Sequence, residues 1–248
     1  MSFTGENVII TGGGTGIGLS LARKLSENGN TVTICGRRLE ALETAKHETS
    51  ALNIVQCDIT QPEQQDTLFE AAEAHGPVTM LINNAGMTTV TNGFPEKGAS
   101  DEEIHTLFAI NCIAPLQLTR RMIERGQKGG RIVQIGSLAG MAPLEAQAIY
   151  AGTKAAIKHA SWSLRGPAKR HGFNVIHVQT PSTATPMTDD MHVAKMSPDV
   201  LAGRILKAAK QNRPEVRPHL DNYTSELGWR FAPWVLKWIA TNRYKKLT

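Results

Sequence analysis

Short apolar segments rich in β-branched residues alternate with longer segments of helical periodicity along most of this chain. Their apolar residues follow one another directly instead of alternating with polar ones, which indicates strands covered on both faces. The sequence therefore predicts a doubly wound α/β fold, in which a mostly parallel sheet carries helices on both faces. The predicted strands are residues 8–11, 31–35, 53–57, 79–82, 131–135 and 173–178.

The composition is that of a globular protein with one buried core. The chain has 248 residues, of which 41% are hydrophobic and 20% charged. These values exclude disordered, collagen-like and disulfide-scaffold proteins. No linker rich in Gly, Ser or Pro divides the sequence, so we expect a single domain over residues 1–248.

The cysteines and the N-terminal residues indicate the cellular compartment of the protein. Cys35, Cys57 and Cys112 lie far apart and form no C-x-x-C pair, which favours a reducing compartment and indicates neither a disulfide framework nor a metal site. Residues 1–7 lack the basic and apolar regions of a signal peptide, and no run of 18 apolar residues occurs. We therefore expect a cytoplasmic protein, either soluble or peripheral to a membrane.

Two predicted helices are unusually long. The first spans residues 101–125 and is preceded by Ser100, with Glu103 three positions later, which predicts a capping box; the second spans 147–171. A helix of about 25 residues extends about 37 Å. Such helices commonly carry subunit contacts, which predicts a homodimer or homotetramer, but they could equally be long covering helices within one subunit.

A glycine-rich segment, TGGGTGIG, follows the first predicted strand directly and opens a helix near Gly16. Glycines let the backbone approach a pyrophosphate closely, and the N–H groups at the helix start stabilise the anion. A tight turn without a ligand is the alternative. The order of strand, glycine loop and helix favours a Rossmann-type dinucleotide site, with candidate binding residues Thr11, Gly12, Gly14, Gly16, Ile17 and Gly18.

The end of the second strand indicates which dinucleotide binds. An acidic residue at this point usually holds the ribose 2′-OH of NAD, but this chain has Arg37 and Arg38 there. Guanidinium groups match a 2′-phosphate, so NADP(H) is favoured over NAD(H). Alternatively Arg38 simply starts a solvated surface helix.

Tyr150 and Lys154 are four residues apart in the second long helix and share one face. A phenol has an unperturbed pKa near 10 and is a poor base at neutral pH. We expect the ammonium of Lys154, together with an oxidised nicotinamide, to lower the pKa of Tyr150. This pair can therefore move a proton at a substrate oxygen.

The motifs occur together and in a fixed order: TGGGTGIG, Asn83-Asn84-Ala85-Gly86, Asn111, Ser137 and Tyr150-Ala-Gly-Thr-Lys154. In this respect residues 7–187 resemble the short-chain dehydrogenase/reductase family. The resemblance implies that Tyr150 exchanges the proton and Ser137 hydrogen-bonds the substrate oxygen. It also implies that Lys154 tunes Tyr150 and holds the nicotinamide ribose, and that Asn111 completes a proton relay through water.

Other roles follow from the same resemblance. Asp58 would contact adenine, Asn84, Ala85 and Gly86 would line the cofactor, and Asn83 would support a strand end. After the sixth strand the family has Pro-Gly and then a Thr near the nicotinamide carboxamide. Here Pro181 and Thr185 match, whereas Ser182 replaces the glycine and restricts a backbone position.

Two C-terminal segments bear on the choice of substrate and of partners. The resemblance implies that residues 182–200 form the substrate lid, and Met187, Met191 and Met196 favour a moderately apolar substrate unless they face the core. Residues 227–248 contain three Trp and five basic residues but no acidic ones. They predict an amphipathic helix for packing or subunit contact, or alternatively for a membrane surface or lipid; no recognition motif supports nucleic acid.

These features predict an NADP(H)-dependent oxidoreductase that transfers hydride between nicotinamide and a carbonyl or secondary alcohol, acting as a reductase. The alternative is a catalytically silent, nucleotide-binding regulatory protein with the same fold. The intact set of Ser137, Tyr150 and Lys154 argues against that alternative. A dehydratase or epimerase is a third possibility, but the family resemblance implies that such an enzyme needs a longer C-terminal region than the one that follows Pro181.

Overall fold

The computed structural model describes residues 3–89, 99–141, 144, 147–189, 193–219, 228, 231–232 and 234–235. Seven parallel strands form one sheet in the order β3-β2-β1-β4-β5-β6-β7. The doubly wound α/β prediction is therefore confirmed. The strands are β1 (Asn7–Thr11), β2 (Thr31–Gly36), β3 (Leu52–Gln56), β4 (Met80–Asn83), β5 (Arg131–Ile135), β6 (Asn174–Val178) and β7 (Glu215–Val216).

Helices cover both faces of the sheet because its central strands are apolar on both sides. Val8 and Ile10 of β1 belong to one buried cluster and Ile9 to the other. Helices α1 and α7 pack in the first layer, while α3, α5 and α6 contribute to the second. The helices are α1 (Gly16–Glu27), α2 (Leu39–Glu48), α3 (Pro62–Glu73), α4 (Asp101–Phe108), α5 (Ala114–Arg125), α6 (Ala148–Arg170) and α7 (Pro198–Lys210).

The first long helix is interrupted where the sequence predicted a continuous one. A π-helical segment, Ala109–Ile113, separates α4 from α5 and contains the buried Asn111. The predicted capping box is present at its start, where Ser100 Oγ accepts from Glu103 N at 3.2 Å and Glu103 Oε2 accepts from Ser100 N at 2.8 Å. The second long helix, α6, starts and ends within one residue of its predicted bounds.

The strand order reverses beside β1, which pairs with β2 on one side and β4 on the other. Connections from these strands run to opposite faces and leave a crevice at the carboxyl ends, where ligands bind in open α/β sheets. The glycine loop follows β1 and Asn84–Gly86 follow β4 at this crevice. The fold therefore places the predicted motifs at one edge.

The predicted lid and C-terminal helix are only partly described. Residues 186–188 form a 3₁₀ turn, Thr183 pairs with Met196, and α7 already begins at Pro198. Met196 packs against the core, whereas Met187 is 45% exposed; Met191 lies outside the described residues. Within 227–248, Phe231 and Trp234 are exposed, and most of this segment, including its other two Trp, lies outside the described residues.

Candidate active site

The glycine loop is shaped so that only glycine fits at several positions. Gly12 and Gly16 have φ of 64° and 57°, which L-residues rarely adopt. A Cβ on Gly18 would lie 2.3 Å from the carbonyl oxygen of Gly12, so a side chain there would push the start of α1 off the loop. Gly18 therefore serves close helix packing, while Gly12, Gly14, Gly16 and Ile17 line an open cleft.

The start of α1 fits an anion. Its N-cap residue, Thr15, makes no side-chain capping bond, and its first turn contains no acidic residue. The free N–H groups and the positive end of the helix dipole face the cleft that Thr15 and Gly16 line. By contrast, Ser100 and Glu103 cap α4 internally. The uncapped end is suited to the pyrophosphate of a dinucleotide.

Thr11 and Asn84 tie the loop to the end of β4. Thr11 Oγ1 accepts hydrogen bonds from the N–H groups of Asn84 and Ala85, both at 3.0 Å. Asn84 Nδ2 donates to the carbonyl oxygens of Thr11 and Gly12, also at 3.0 Å. Thr11 is buried and acts on the shape of the cleft, whereas Asn84, Ala85 and Gly86 line it.

Basic side chains stand at the other end of the cleft, after β2. Arg37 and Arg38 are exposed and line the cleft, and no salt bridge among the described residues occupies either guanidinium. Gln56 Nε2 donates to the carbonyl oxygen of Arg37 at 3.0 Å. Asp58 also lines the cleft, with Oδ1 accepting from the N–H and hydroxyl of Thr60 at 2.9 and 2.8 Å.

Ser137, Tyr150 and Lys154 come together near the end of β5. A hydrogen bond joins the hydroxyl groups of Ser137 and Tyr150. Lys154 Nζ donates to the carbonyl oxygen of Ile135 at 3.1 Å and lies 5.7 Å from the centroid of the Tyr150 ring. Tyr150 and the buried amine of Lys154 thus line one end of the cleft, and Ser137 lies beside Tyr150 without lining it.

In the chain without a cofactor, burial is the largest influence on the pKa values of both Tyr150 and Lys154. Burial raises the pKa of Tyr150, and the hydrogen bond from Ser137 only partly opposes this. Burial also lowers the pKa of Lys154 to about 8. The lowering of the phenol pKa by Lys154 together with an oxidised nicotinamide stays a prediction, because in the chain alone Lys154 Nζ donates to the carbonyl oxygen of Ile135 and desolvation dominates the pKa of Tyr150.

Asn111 lies beneath this group, in the π-helical segment. Its Nδ2 donates to the carbonyl oxygen of Met87 at 2.9 Å and to Thr153 Oγ1 at 3.1 Å. Its Oδ1 accepts from Met87 N at 2.9 Å. A Cβ on Gly86 would lie 3.1 Å from this oxygen and 3.6 Å from Lys154 Nζ. The amide thus holds the segment after β4 against α6.

The loop after β6 closes over the glycine loop. Thr185 lines the cleft, and its Cγ2 would lie 3.0 Å from a Cβ on Gly16. Asn212 is the only described non-glycine residue with positive φ, so Ser182 occupies an ordinary backbone conformation. The concern that Ser182 distorts this loop is therefore unfounded. Pro181 is half-buried and does not line the cleft.

Sequence reasoning missed several residues that line the cleft, mainly at strand ends and on α2. Except for Thr15, which lies within TGGGTGIG, these residues belong to no motif, although a position just after a predicted strand could have indicated several of them. Among the described residues, no group of three or more His, Cys, Asp or Glu could hold a metal ion. The missed residues are Thr15, Gly36, Ala41, Leu42, Cys57, Ile59, Met87, Ile110, Ile135, Gly136, Thr180 and Pro186.

Comparison with known proteins supplies independent information. A family profile described as short chain dehydrogenase matches residues 6–195. An uncharacterized oxidoreductase, DltE, from Bacillus subtilis is 34% identical over 191 residues, 75% of this chain and 74% of its own length. The NADPH-dependent 1-acyldihydroxyacetone phosphate reductase of Saccharomyces cerevisiae is 30% identical, over 73% of this chain and 62% of its own.

A similar solved structure is that of a short-chain dehydrogenase from Sphingobium yanoikuyae in complex with NADPH. It superimposes with a TM-score of 0.76 at 26% identity, covering 90% of this chain and 92% of that one. No helix in the described part of this chain is both long and apolar enough to cross a bilayer.

Proposed function

Because this chain belongs to the short-chain dehydrogenase family of oxidoreductases, we propose that it is an NADP(H)-dependent reductase. It would transfer hydride between the nicotinamide and a carbonyl or secondary alcohol. The observation that carries the proposal is the cleft itself, which leads from Arg37, past the uncapped helix start at Gly16, to Tyr150 and Lys154.

The residues of the chain divide the chemistry among them. A nicotinamide dinucleotide, when bound, supplies or accepts the hydride. Tyr150 donates the proton to the carbonyl oxygen, and Ser137 hydrogen-bonds that oxygen, since both hydroxyl groups already meet in the structure. Lys154 would hold the ribose and tune Tyr150, and Asn111 would take part in a proton relay through water, as the family resemblance implies.

NADP(H) is proposed over NAD(H) on the basis of Arg37 and Arg38. Their guanidinium groups line the cleft, and no carboxylate among the described residues pairs with them. They can bind a 2′-phosphate by charge-assisted hydrogen bonds. Asp58 and Thr185, which line the cleft, would contact the rest of the cofactor. The yeast relative named above uses NADPH, which supports the same choice.

We propose a moderately apolar carbonyl compound as substrate. Met187 is 45% exposed and lines the cleft, so it offers a flexible apolar surface to the substrate. Residues 182–200 would act as the lid. We further propose a cytoplasmic homodimer or homotetramer, because the first long helix exposes the apolar side chains of Phe108 and Ile113. The basic, Trp-rich segment 227–248 would pack at an interface or contact lipid.

The proposal is tested by Tyr150→Phe. The purified protein should oxidise NADPH with members of a chemically diverse carbonyl panel, and this variant should lose at least about 10²-fold in kcat because it lacks the proton donor. Its affinity for NADPH should change little, since the glycine loop is untouched. Tight NADPH binding without turnover by the wild type on any carbonyl would instead favour the regulatory alternative.

A further inference from the structure

A buried cluster outside the cleft centres on the carboxylate of Glu215 in β7. Oε1 accepts from His177 Nδ1 at 2.9 Å and from Gln179 Nε2 at 3.1 Å. Oε2 accepts from Trp162 Nε1 at 2.7 Å and from Arg165 Nη2 at 2.9 Å. Each oxygen of this one carboxylate is therefore bound to a different part of the fold, the first to β6 and its extension and the second to α6.

The cluster holds Glu215 in its ionised form. Burial alone would raise the pKa of this carboxyl, but hydrogen bonding and charge from His177, with the bonds from Trp162 and Arg165, lower the pKa to about 2. An ionised carboxylate only accepts hydrogen bonds, so His177 Nδ1 carries its hydrogen. The charged or titratable groups that face Glu215 are Arg165 from α6 and the imidazole of His177 from β6, with Lys158 of α6 beside Trp162.

His177 and Gln179, the two donors to Oε1, contact the two ends of the Ser137 loop, which spans residues 136–141. His177 is fully buried, and its Nε2 would lie 2.1 Å from a Cβ on Gly136, so the imidazole fills the space beneath that glycine. Gln179 Nε2 also contacts Sδ of Met141 at 3.3 Å. Gly136 precedes Ser137 and Met141 ends the following 3₁₀ turn, so one oxygen anchors both ends of the loop.

The donors to Oε2 lie on the helix that carries Tyr150 and Lys154. Trp162 and Arg165 belong to the second half of α6. Lys158, midway along the same helix, lies 4.6 Å from the centroid of the Trp162 ring and hydrogen-bonds Met141. Nearer the reaction centre, a Cβ on Gly140 would lie 2.6 Å from the carbonyl oxygen of Lys154, so loop and helix touch along their backbones.

We propose that Glu215 is a positioning residue that fixes Ser137 relative to Tyr150, holding the Ser137 loop through Oε1 and the Tyr150 helix through Oε2. This inference rests on the proposed function, in which these two hydroxyl groups share the substrate oxygen. An ordinary buried ion pair would stabilise the fold without affecting this geometry. The two roles differ in what they do to turnover and to the titration of Tyr150.

The test compares Glu215→Gln with a matched control, Glu73→Gln. Glu73 of α3 forms a two-point pair with Arg125, at 3.0 and 2.7 Å, outside the cleft. In Glu215→Gln the amide nitrogen opposes N–H donors, so the loop and helix should separate. We expect kcat to fall about 10- to 100-fold while KM for NADPH stays within about twofold; Glu73→Gln should change neither constant.

Titration of Tyr150 provides a readout that needs no substrate. The chain has three tyrosines, so the difference in tyrosinate absorbance between each protein and its Tyr150→Phe partner isolates this residue. Because the bond from Ser137 lowers the pKa of Tyr150, loosening it in Glu215→Gln should move the titration to higher pH. If the wild type reduces no carbonyl, the proposed function fails, and this titration still decides the positioning role.

Two outcomes would overturn the proposal: a lower Tm for Glu215→Gln with unchanged kcat and Tyr150 titration, or an equal loss of kcat in Glu73→Gln. If Glu215→Gln does not fold, Trp162→Phe replaces it. That variant keeps a ring against Lys158 and removes only one donor to Oε2. It should lower kcat and raise the Tyr150 titration in the same direction, and normal values for both would refute the role.

Discussion

At the scale of single residues, the buried amine of Lys154 destabilises the folded state. It is buried, and its pKa is lowered from 10.5 to about 8 by desolvation. Below pH 8 the amine is charged in both folded and unfolded states, and its burial costs about 3 kcal/mol. Between pH 8 and 10.5 the unfolded state binds more protons, so the stability contributed at this site rises with pH.

Lys154→Met should therefore be more stable than the wild type at pH 7, by up to about 3 kcal/mol, because it removes the buried charge. The lost bond to Ile135 O reduces this gain. Urea unfolding at a series of pH values would measure it. The advantage should shrink as the pH rises from 8 towards 10.5; an advantage that is constant across this range would contradict the assigned burial.

Arg37 is the residue on which the cofactor preference depends. Arg37→Ala should weaken NADPH binding about tenfold, since the site is exposed and its charge is partly screened. NADH binding should not change, because NADH has no 2′-phosphate. Fluorescence titration with both cofactors, alongside Arg38→Ala, would show which guanidinium binds the phosphate. Equal affinity of the wild type for NADPH and NADH would contradict the preference.

At the scale of elements, predictability follows from how many residues carry the signal. The strand predicted at 131–135 matches β5 to the residue. The π-helical segment around Asn111 could not be predicted, because it leaves the sequence pattern of apolar and polar residues intact. The strand β7 has only two residues. Glu215 was consequently missed, although Tyr150 and Lys154 could be predicted from their spacing.

The junction of the glycine loop with α1 allows a test at this scale. A Cβ on Gly18 would lie 2.3 Å from Gly12 O and 2.5 Å from Asn84 Nδ2, whereas nothing lies within 4 Å of one on Gly203 in α7. Gly18→Ala should destabilise the fold by about 1–3 kcal/mol and weaken NADPH binding. Gly203→Ala should instead stabilise it by about 0.5–1 kcal/mol, through helix propensity.

Thermal or urea unfolding of both glycine variants, with and without NADPH, would measure these effects. The change in the free energy of unfolding should have opposite signs in the two variants. Both sites are helical glycines, and the space around them is what differs. If Gly18→Ala kept wild-type stability and NADPH affinity, the close approach of α1 to the glycine loop would not be what demands glycine there.

At the scale of the whole molecule, the long helices predict assembly. Phe108 and Ile113, near the junction of α4 and α5, are 36% and 50% exposed. Large apolar side chains at such exposure favour burial by a second subunit. Light scattering should therefore give two or four times the chain mass of 26.9 kDa.

Ile113→Lys should shift this assembly towards the monomer, because burying a lysine at a subunit interface is costly. Val200→Lys, at a site in α7 that is 48% exposed, is the matched control and should leave the native mass unchanged. A shift in Val200→Lys alone would place the interface on α7. A monomeric wild type at all concentrations would mean that the long helices only cover the sheet, and the reaction centre would then depend on contacts within one chain, such as those of Glu215.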